Sequence, residues 1–270
     1  METNSEKSLQ KSWTRPPKIK SKWIRWGIIL LVAVYFVTAA RSFEINIQRI
    51  IYGMDRAVTM ITAFFQPDFL SRQSHIVTGV LESITMTVVA TVFGVILAIP
   101  ISFAAAKNVS SPPVYYTARF ILGIFRSLHV VILGVFFVIL FGFGPFAGVL
   151  TMIINSIGFL GKLTAEEIEN TNKEAVEAVR ATGASWMQLM AFGVWPQIAT
   201  RYIGLSIYRA DMTFRQSTVI GLVGAGGIGA VLETAMGRYD FNTAGAILLL
   251  IIILVLLGEY GSSAIRRRLT

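Results

Sequence analysis

EAVEAVRATGASWMQLMAFGVWPQ, residues 174–197, is a short polar stretch between long apolar segments, and it is the most informative part of the chain about the fold. Gly183 lies at its centre, where one helix must end and the chain reverse. Glycine adopts the left-handed conformation of a helix end without a Cβ penalty. Pro196 is suited to the first turn of the next helix. The stretch therefore predicts an exposed elbow made of a helix, a glycine stop and a second helix.

Two capping boxes support this reading of the elbow. Thr171 with Glu174, and Ser185 with Gln188, each have the spacing that satisfies free amides at a helix start. A polar elbow between apolar spans is typical of a membrane protein that docks onto a soluble partner.

The composition places the rest of the chain in a membrane. It is 54% hydrophobic and 14% charged, whereas soluble domains are about 45 to 50% apolar. A span needs about 20 residues to cross roughly 30 Å of hydrocarbon. The sequence predicts an all-α integral membrane protein with about six transmembrane helices. The candidate spans run approximately Trp23–Phe43, Ile76–Ala106, Val114–Leu140, Ala147–Leu163, Pro196–Val223 and Asn242–Gly261.

Basic residues predict the orientation. Six crossings put both termini on one side, and positive charge marks the cytoplasmic side. The flanking cations are Lys18, Lys20, Lys22, Arg25, Arg266, Arg267 and Arg268. Both termini, Lys107 and the elbow are therefore expected in the cytoplasm. Orientation and anionic lipid explain the formal charge of +9 better than nucleic acid does.

The spans divide the chain into five further segments. Residues 1–22 form a polar amino-terminal segment, predicted to be disordered and cytoplasmic. Residues 23–43 form the first span, which also has features of a cleaved secretory signal. Residues 44–75 form an extracytoplasmic segment, with apolar residues at helical spacing on one face. Residues 76–265 form the core domain, with the elbow at about 166–194, and residues 266–270 form a basic cytoplasmic tail.

Several chemistries are not supported by the sequence. There is no cysteine, and the only histidines are His75 and His129, so no metal site is predicted. GFLGK at 158–162 lacks the spacing of a phosphate loop, and no GxSxG or HExxH motif occurs. The chain is therefore not expected to be an enzyme or to hold a cofactor.

GAGGIG at 224–229 formally matches a dinucleotide fingerprint, but long apolar helices flank it in place of a βαβ unit. Glycines at membrane depth more often permit close helix contact or an unwound segment. We therefore interpret Gly224, Gly226, Gly227 and Gly229 as structural glycines.

The elbow resembles that of the membrane subunits of ABC importers of type I architecture. Their signature is a Glu-Ala-Ala triplet, a glycine four residues later and a proline thirteen residues after the glycine. Glu177, Ala178, Gly183 and Pro196 fit it, and Val179 replaces the third alanine. The residues that usually precede the proline, a branched apolar residue and a leucine, are replaced as well, by glycine and tryptophan.

The resemblance implies a multi-pass permease of the bacterial inner membrane whose elbow inserts into a cleft of an ATPase. It implies a homodimer, two cytoplasmic ATP-binding cassette subunits and an extracytoplasmic substrate-binding protein as partners, besides the lipid bilayer. ATP and magnesium would be used by the partner ATPase. Hydrolysis is then expected from a separate subunit.

LSIYRADMTFRQSTVIGLVGAGGIG at 205–229, with GPFAGVL at 144–150 and GFLGKL at 158–163, is similar to the phosphonate importer permeases. VGAGGIG is shared with other importers, such as those for methionine, so YRADMTFR at 208–215 carries the assignment. The resemblance implies transport of a phosphonate or a related small phosphorus oxyanion.

The positions of the charges in YRADMTFR also have a physical interpretation. A helix begun at Pro196 rises about 1.5 Å per residue, so Arg209, Asp211 and Arg215 lie roughly 20 to 28 Å along it, within the membrane. Asp211 and Arg215 are four residues apart and are expected to pair. Arg209 points elsewhere and is the better candidate for an anion pathway. The alternative is that all three charges only join helices within the dimer.

Arg126 and His129 are further pathway candidates, in RSLHVVIL at 126–133. The family usually has proline and glutamate where this chain has His129 and Val130. The departure is expected to remove a helix kink and a charge, which leaves phosphite, hypophosphite or another oxyanion open as the substrate. His129 is either a sensor of substrate protonation or a hydrogen-bonded interhelical residue.

Two other functions remain at this point. The chain could serve an ABC importer for another solute, such as an amino acid. It could also be an ion-coupled secondary transporter that uses Asp211 as its ion site.

Overall fold

The computed structural model describes residues 21–42 and 47–269. Nearly all of the predicted polar segment 1–22 lies outside the described residues. The chain divides into two compact units, residues 1–58 and residues 59–270. In the first unit, α1 spans Lys22–Ser42, and α2 (Ile47–Phe64) begins there and ends in the second unit.

Every regular element in the described part of the chain is helical, which confirms the all-α prediction. A π-helical turn, Leu189–Val194, precedes α9. The remaining helices are α3 (Gln73–Ala104), α4 (Pro112–Ser127), α5 (Val130–Phe141), α6 (Pro145–Glu169), α7 (Lys173–Ala181), α8 (Trp186–Gln188), α9 (Trp195–Gly221), α10 (Gly227–Gly237) and α11 (Phe241–Leu269).

Four of the described helices, α1, α3, α6 and α11, are long and apolar enough to cross a membrane, and α4 with α5 makes a fifth span if the bent pair counts as one. The remaining predicted span, Pro196–Val223, corresponds to α9. Its 27 residues give a length of about 40 Å, enough to cross a bilayer. It is less apolar than the other spans because it carries Arg201, Arg209, Asp211 and Arg215.

The centre of the second unit is the interface between α3 and α6, the most extensive contact between two helices. Small residues bring the two backbones together: a Cβ on Gly94 would lie 2.5 Å from the Cβ of Ser156. Several buried hydroxyls donate to a carbonyl of their own helix, for example that of Thr87 to Ser83 at 2.7 Å. Close packing of small residues with internal hydrogen bonding is what a helix bundle in lipid requires.

The third predicted span is broken. Instead of one helix over 114–140, α4 and α5 meet at 92° across Leu128 and His129. The expected loss of a kink at His129 is therefore wrong. Leu128 and His129 both have extended backbone conformations, and the His129 Nδ1 accepts the Val131 N–H at 3.4 Å. The imidazole caps α5, so the chain bends there without a proline.

The glycine-rich stretch is an unwound connection between α9 and α10. Gly224, Gly226 and Gly227 have φ of 87°, 80° and 74°, a region that L side chains rarely adopt. Glu82 and Ser83 of α3 accept the first N–H groups of α10, from Gly227 at 3.0 Å and Ile228 at 2.9 Å. This agrees with the expectation of an unwound segment, and α3 supplies the helix cap.

Gly229 is the tightest of these positions. A Cβ there would lie 2.0 Å from the backbone oxygen of Thr218 and 2.9 Å from the Cα of Gly221. Both neighbours are backbone atoms of α9, which cannot move aside as a side chain would. Gly229 therefore sets the distance between α9 and α10.

We predict that Gly229→Ala destabilises the protein by about 1 to 3 kcal/mol, as overpacking does. The measurement is thermal unfolding of the detergent-solubilised chain, followed by tryptophan fluorescence. Gly204→Ala in α9 is the control, since no atom lies within 4 Å of a Cβ at that position. An unchanged unfolding midpoint for Gly229→Ala would contradict the packing described here.

Candidate functional site: the elbow and the buried arginine of α9

The first helix of the elbow, α7, is capped by Asn172. Its Oδ1 accepts the N–H of Glu174 at 2.8 Å and that of Ala175 at 3.4 Å. The prediction that Thr171 caps this helix is wrong, because the cap is the next residue, Asn172. The Thr171 hydroxyl is buried and donates to the carbonyl of Ile168 at 2.8 Å, so it closes α6 instead.

The turn and the second helix agree with the sequence. Gly183 has φ of 82° and follows the end of α7. The capping box of Ser185 and Gln188 is confirmed, with N–H···O distances of 2.8 Å to the Gln188 Oε1 and 3.5 Å to the Ser185 Oγ. The π-helical turn that connects α8 to α9 was not predicted, because the sequence pattern does not distinguish it from an α-helix.

The elbow has one buried face and one exposed face. Val176 and Val179 pack against a buried cluster that includes Leu189 of the π-helical turn. Val179 therefore replaces the usual alanine on the inner face, where a larger apolar side chain gains contacts. Glu177 and Ala178 lie on the exposed face.

Large apolar side chains extend the exposed face of the elbow. Trp186, Met187 and Phe192 are each more than half exposed. Exposed apolar groups of this size next to polar ones are typical of an interaction surface.

Polar contacts hold the elbow in place. The Gln197 Oε1 accepts the Asn172 N–H at 2.9 Å, and the Trp186 indole donates to the carbonyl of Val109 at 3.3 Å. Gln197 thus joins the start of α9 to the start of α7. Sequence reasoning missed this residue, since an amide following Pro196 carries no recognisable signal.

Two ion pairs join the end of α6, which leads into the elbow, to neighbouring helices. Glu169 pairs with Arg119 of α4 at 2.9 Å and accepts the N–H of Lys107 at 2.8 Å. Glu167 pairs with Arg201 of α9 at 2.8 Å. These contacts connect α4 and α9 to the base of the elbow.

Arg209 lies deep inside the bundle and is 1% exposed. Its Nε donates to the Ser156 hydroxyl at 2.8 Å, and its Nη2 donates to the Asn155 Oδ1 at 2.7 Å and the Gln216 Oε1 at 3.0 Å. Its guanidinium also lies 5.5 Å from the ring centre of Phe159. The guanidinium is fixed by α6 and by its own helix.

All of these partners are neutral. Among the described residues Arg209 forms no ion pair, although six other pairs are present. A buried guanidinium without a counter-ion is costly, especially at membrane depth. The site therefore has a net positive charge that an anion would neutralise. The sequence pointed to Arg209 but not to Asn155 or Gln216.

The other two charges of α9 have different surroundings. Asp211 and Arg215 pair at 3.5 Å, as predicted, and Arg215 also lies 3.6 Å from Glu259 of α11. This group joins α9 to α11, so for these two residues the structure favours the helix-joining alternative. The structure therefore separates Arg209 from Asp211 and Arg215.

Arg126 lies in the last turn of α4 and lines a cavity with Arg119 and Lys162. His129 is the cap of α5 described above. The structure does not bring either residue to Arg209. No cluster of His, Asp or Glu suited to a metal ion occurs among residues 21–42 and 47–269.

Comparison with known proteins gives related permeases. The phosphate-import permease protein PhnE of Mycolicibacterium smegmatis is 34% identical over 257 residues, which cover 95% of this chain and 48% of that protein. The phosphite transport system permease protein PtxC of Stutzerimonas stutzeri is 34% identical over 245 residues, covering 90% of this chain and 86% of that one. The chain thus spans about half of the mycobacterial relative and most of the other.

A solved structure shares the fold. A chain of the MetNI methionine ABC transporter, in an inward-facing crystal form, superposes with a TM-score of 0.64 at 24% identity, covering 74% of this chain and all of that one. The profile of the family "Binding-protein-dependent transport system inner membrane component" matches residues 90–269. The chain belongs to this family, the membrane permeases of ABC importers.

Proposed function

We propose that the chain is the permease of an ABC importer for small phosphorus oxyanions: phosphonate, phosphite or phosphate. The observation that carries this proposal is the buried guanidinium of Arg209, which has three neutral oxygen partners and no carboxylate partner in the described part of the chain. A positive charge held in this way favours an anionic solute over a zwitterionic or cationic one.

The neighbours of Arg209 suit an oxyanion as well. Asn155 and Gln216 direct their oxygens at the guanidinium, which leaves their amide N–H groups for another acceptor. Arginine and amide donors together match the several oxygens of a phosphonate or phosphate. The names of the relatives from M. smegmatis and S. stutzeri, which refer to phosphate and phosphite, support the same ligand class.

The elbow supports a function in which transport and ATP hydrolysis are carried out by different subunits. ATP hydrolysis belongs to a separate subunit, and the exposed face around Ala178, with Trp186 and Phe192, is the surface we assign to that ATPase. We place both termini and the elbow in the cytoplasm, because the basic flanks of the first and last spans favour that orientation.

The assembled importer would contain two copies of this chain, two ATPase subunits and an extracytoplasmic binding protein. ATP binding would draw the two elbows together and open the pathway outward, and hydrolysis would reset it. Within each copy, the ion pairs of Glu167 and Glu169 would transmit displacement of the elbow to α9 and α4.

Substitution of Arg209 tests the substrate class. We predict that Arg209→Ala lowers oxyanion uptake at least about tenfold, since charge-assisted hydrogen bonds are lost, while the complex still assembles. The measurement is uptake of radiolabelled methylphosphonate, phosphite and phosphate by cells that lack their own transporters for these solutes. Assembly is measured by co-purification with the ATPase.

Arg267→Ala is the matched control, because it removes an exposed cation from the last turns of α11. Normal uptake by Arg209→Ala would remove this residue from the mechanism. Uptake of an amino acid, with no response to any of the three oxyanions, would instead support the alternative of an amino-acid importer.

The docking surface is tested by Ala178→Glu. Ala178 is exposed on α7, so a carboxylate there leaves the fold intact but becomes an unpaired charge on docking. We predict that the ATPase no longer co-purifies and that uptake falls by more than about tenfold, as expected when a charge is buried without a partner. Ala57→Glu on α2 is the control, and retention of the ATPase by Ala178→Glu would contradict the assignment.

A further inference from the structure

A positively charged cavity lies between α4 and α6, apart from the buried Arg209. Its volume is about 440 Å³, within the range of small-ligand sites. Half of its lining residues are cations. The lining consists of Arg119, Leu122, Gly123, Arg126, Ser127 and Lys162.

Glycines build this cavity. A Cβ on Gly161 would lie 2.6 Å from the Cδ2 of Leu122, so α4 packs directly on α6 at that level. Leu122 lies between Arg119 and Arg126 on α4. Lys162 follows Gly161 on α6, so it lies at a level between these two arginines. At Gly123 the helices are not in close contact, because no atom lies within 4 Å of a Cβ there, and the cavity stays open. The GFLGKL stretch therefore has a structural role that its sequence did not reveal.

The charges that line the cavity are not balanced. Arg119 is neutralised by Glu169 at 2.9 Å. Lys162 reaches Glu166 only at 3.8 Å, with both side chains more than 40% exposed, which makes this a weak pair. The Arg126 side chain has no hydrogen bond or ion pair among the described residues. Arg126 and Lys162 thus share one carboxylate, that of Glu166, which is paired weakly with Lys162.

The cavity also lies in line with the Arg209 cluster. Asn155 and Lys162 are seven residues apart on α6, which places them on the same face about 10 Å from each other. Phe159 lies between them on that face, with its ring against the guanidinium of Arg209. This face of α6 leads from the buried arginine toward the elbow.

We propose that the cavity is a second binding site for a phosphate-type oxyanion, held by Arg126 and Lys162. The ligand class rests on the proposed function. The shared chemistry is a phosphoryl group with free anionic oxygens, which arginine binds through paired N–H groups. Its source is either a free oxyanion or the headgroup of an anionic phospholipid, since basic pockets between membrane helices bind such headgroups.

The experiment measures phosphate binding to the full-length chain in nanodiscs of phosphatidylcholine, by equilibrium dialysis with ³²P-orthophosphate. We expect Arg126→Gln and Lys162→Gln each to weaken binding at the cavity at least about tenfold. Lys107→Gln, which removes an exposed lysine outside the cavity, should bind as the unsubstituted chain does. Arg126→Lys, which keeps the positive charge, should retain part of the binding.

The lipid arm uses nanodiscs that contain phosphatidylglycerol and native mass spectrometry. Phosphatidylglycerol retained by the unsubstituted chain and lost from Arg126→Gln and Lys162→Gln supports the site with a headgroup as its ligand. Equal binding of both probes by the unsubstituted chain and by both glutamine variants overturns the proposal, as does the absence of binding in both arms. Failure here with normal oxyanion uptake would leave the proposed function standing, whereas failure of uptake with intact cavity binding would overturn only the proposed function.

Discussion

The burial of a guanidinium among neutral oxygens is the constraint on which the interior of this protein depends. Arg209 is 1% exposed and is held by Ser156, Asn155 and Gln216. A low-dielectric interior makes such a charge expensive unless other groups solvate it. The polar residues of α6 and α9 therefore have to face each other at this depth, and this requirement fixes the register of the two helices. The same feature makes α9 too polar to be recognised as a span, although it is long enough to cross a membrane.

α6 connects the parts of the molecule that the proposed function requires to work together. Its middle supplies Asn155 and Ser156 to the buried arginine, and its last turn supplies Glu167 and Glu169 to the ion pairs at the elbow. Because a helix is stiff over this length, displacement of the elbow and rearrangement around Arg209 cannot be independent. The tight interface with α3 adds to this, since small residues leave no space for the two helices to slide.

Features set by local chemistry could be predicted from the sequence. Gly183, the Ser185–Gln188 capping box and the Asp211–Arg215 pair each depend on residues within four positions of one another, and the structure contains all three.

Features that depend on contacts between distant parts of the chain could not be predicted from the sequence. Asn155 and Gln216 bind Arg209 because two helices pack at one particular register. The cap at Asn172 was missed by one position, because both Thr171 and Asn172 are good capping residues and only the path of the chain at the end of α6 selects between them. The bend at His129 was missed because an imidazole replaces proline as the feature that starts α5.

His129 and Val130 account for the bend before α5 and for part of the apolar core around it. His129 caps α5, and Val130 is the first residue of that helix. Val130 packs into a buried apolar cluster with Met86, Met152 and Ile220. A carboxylate in that cluster would be buried without a partner, so the valine suits the packing of this chain.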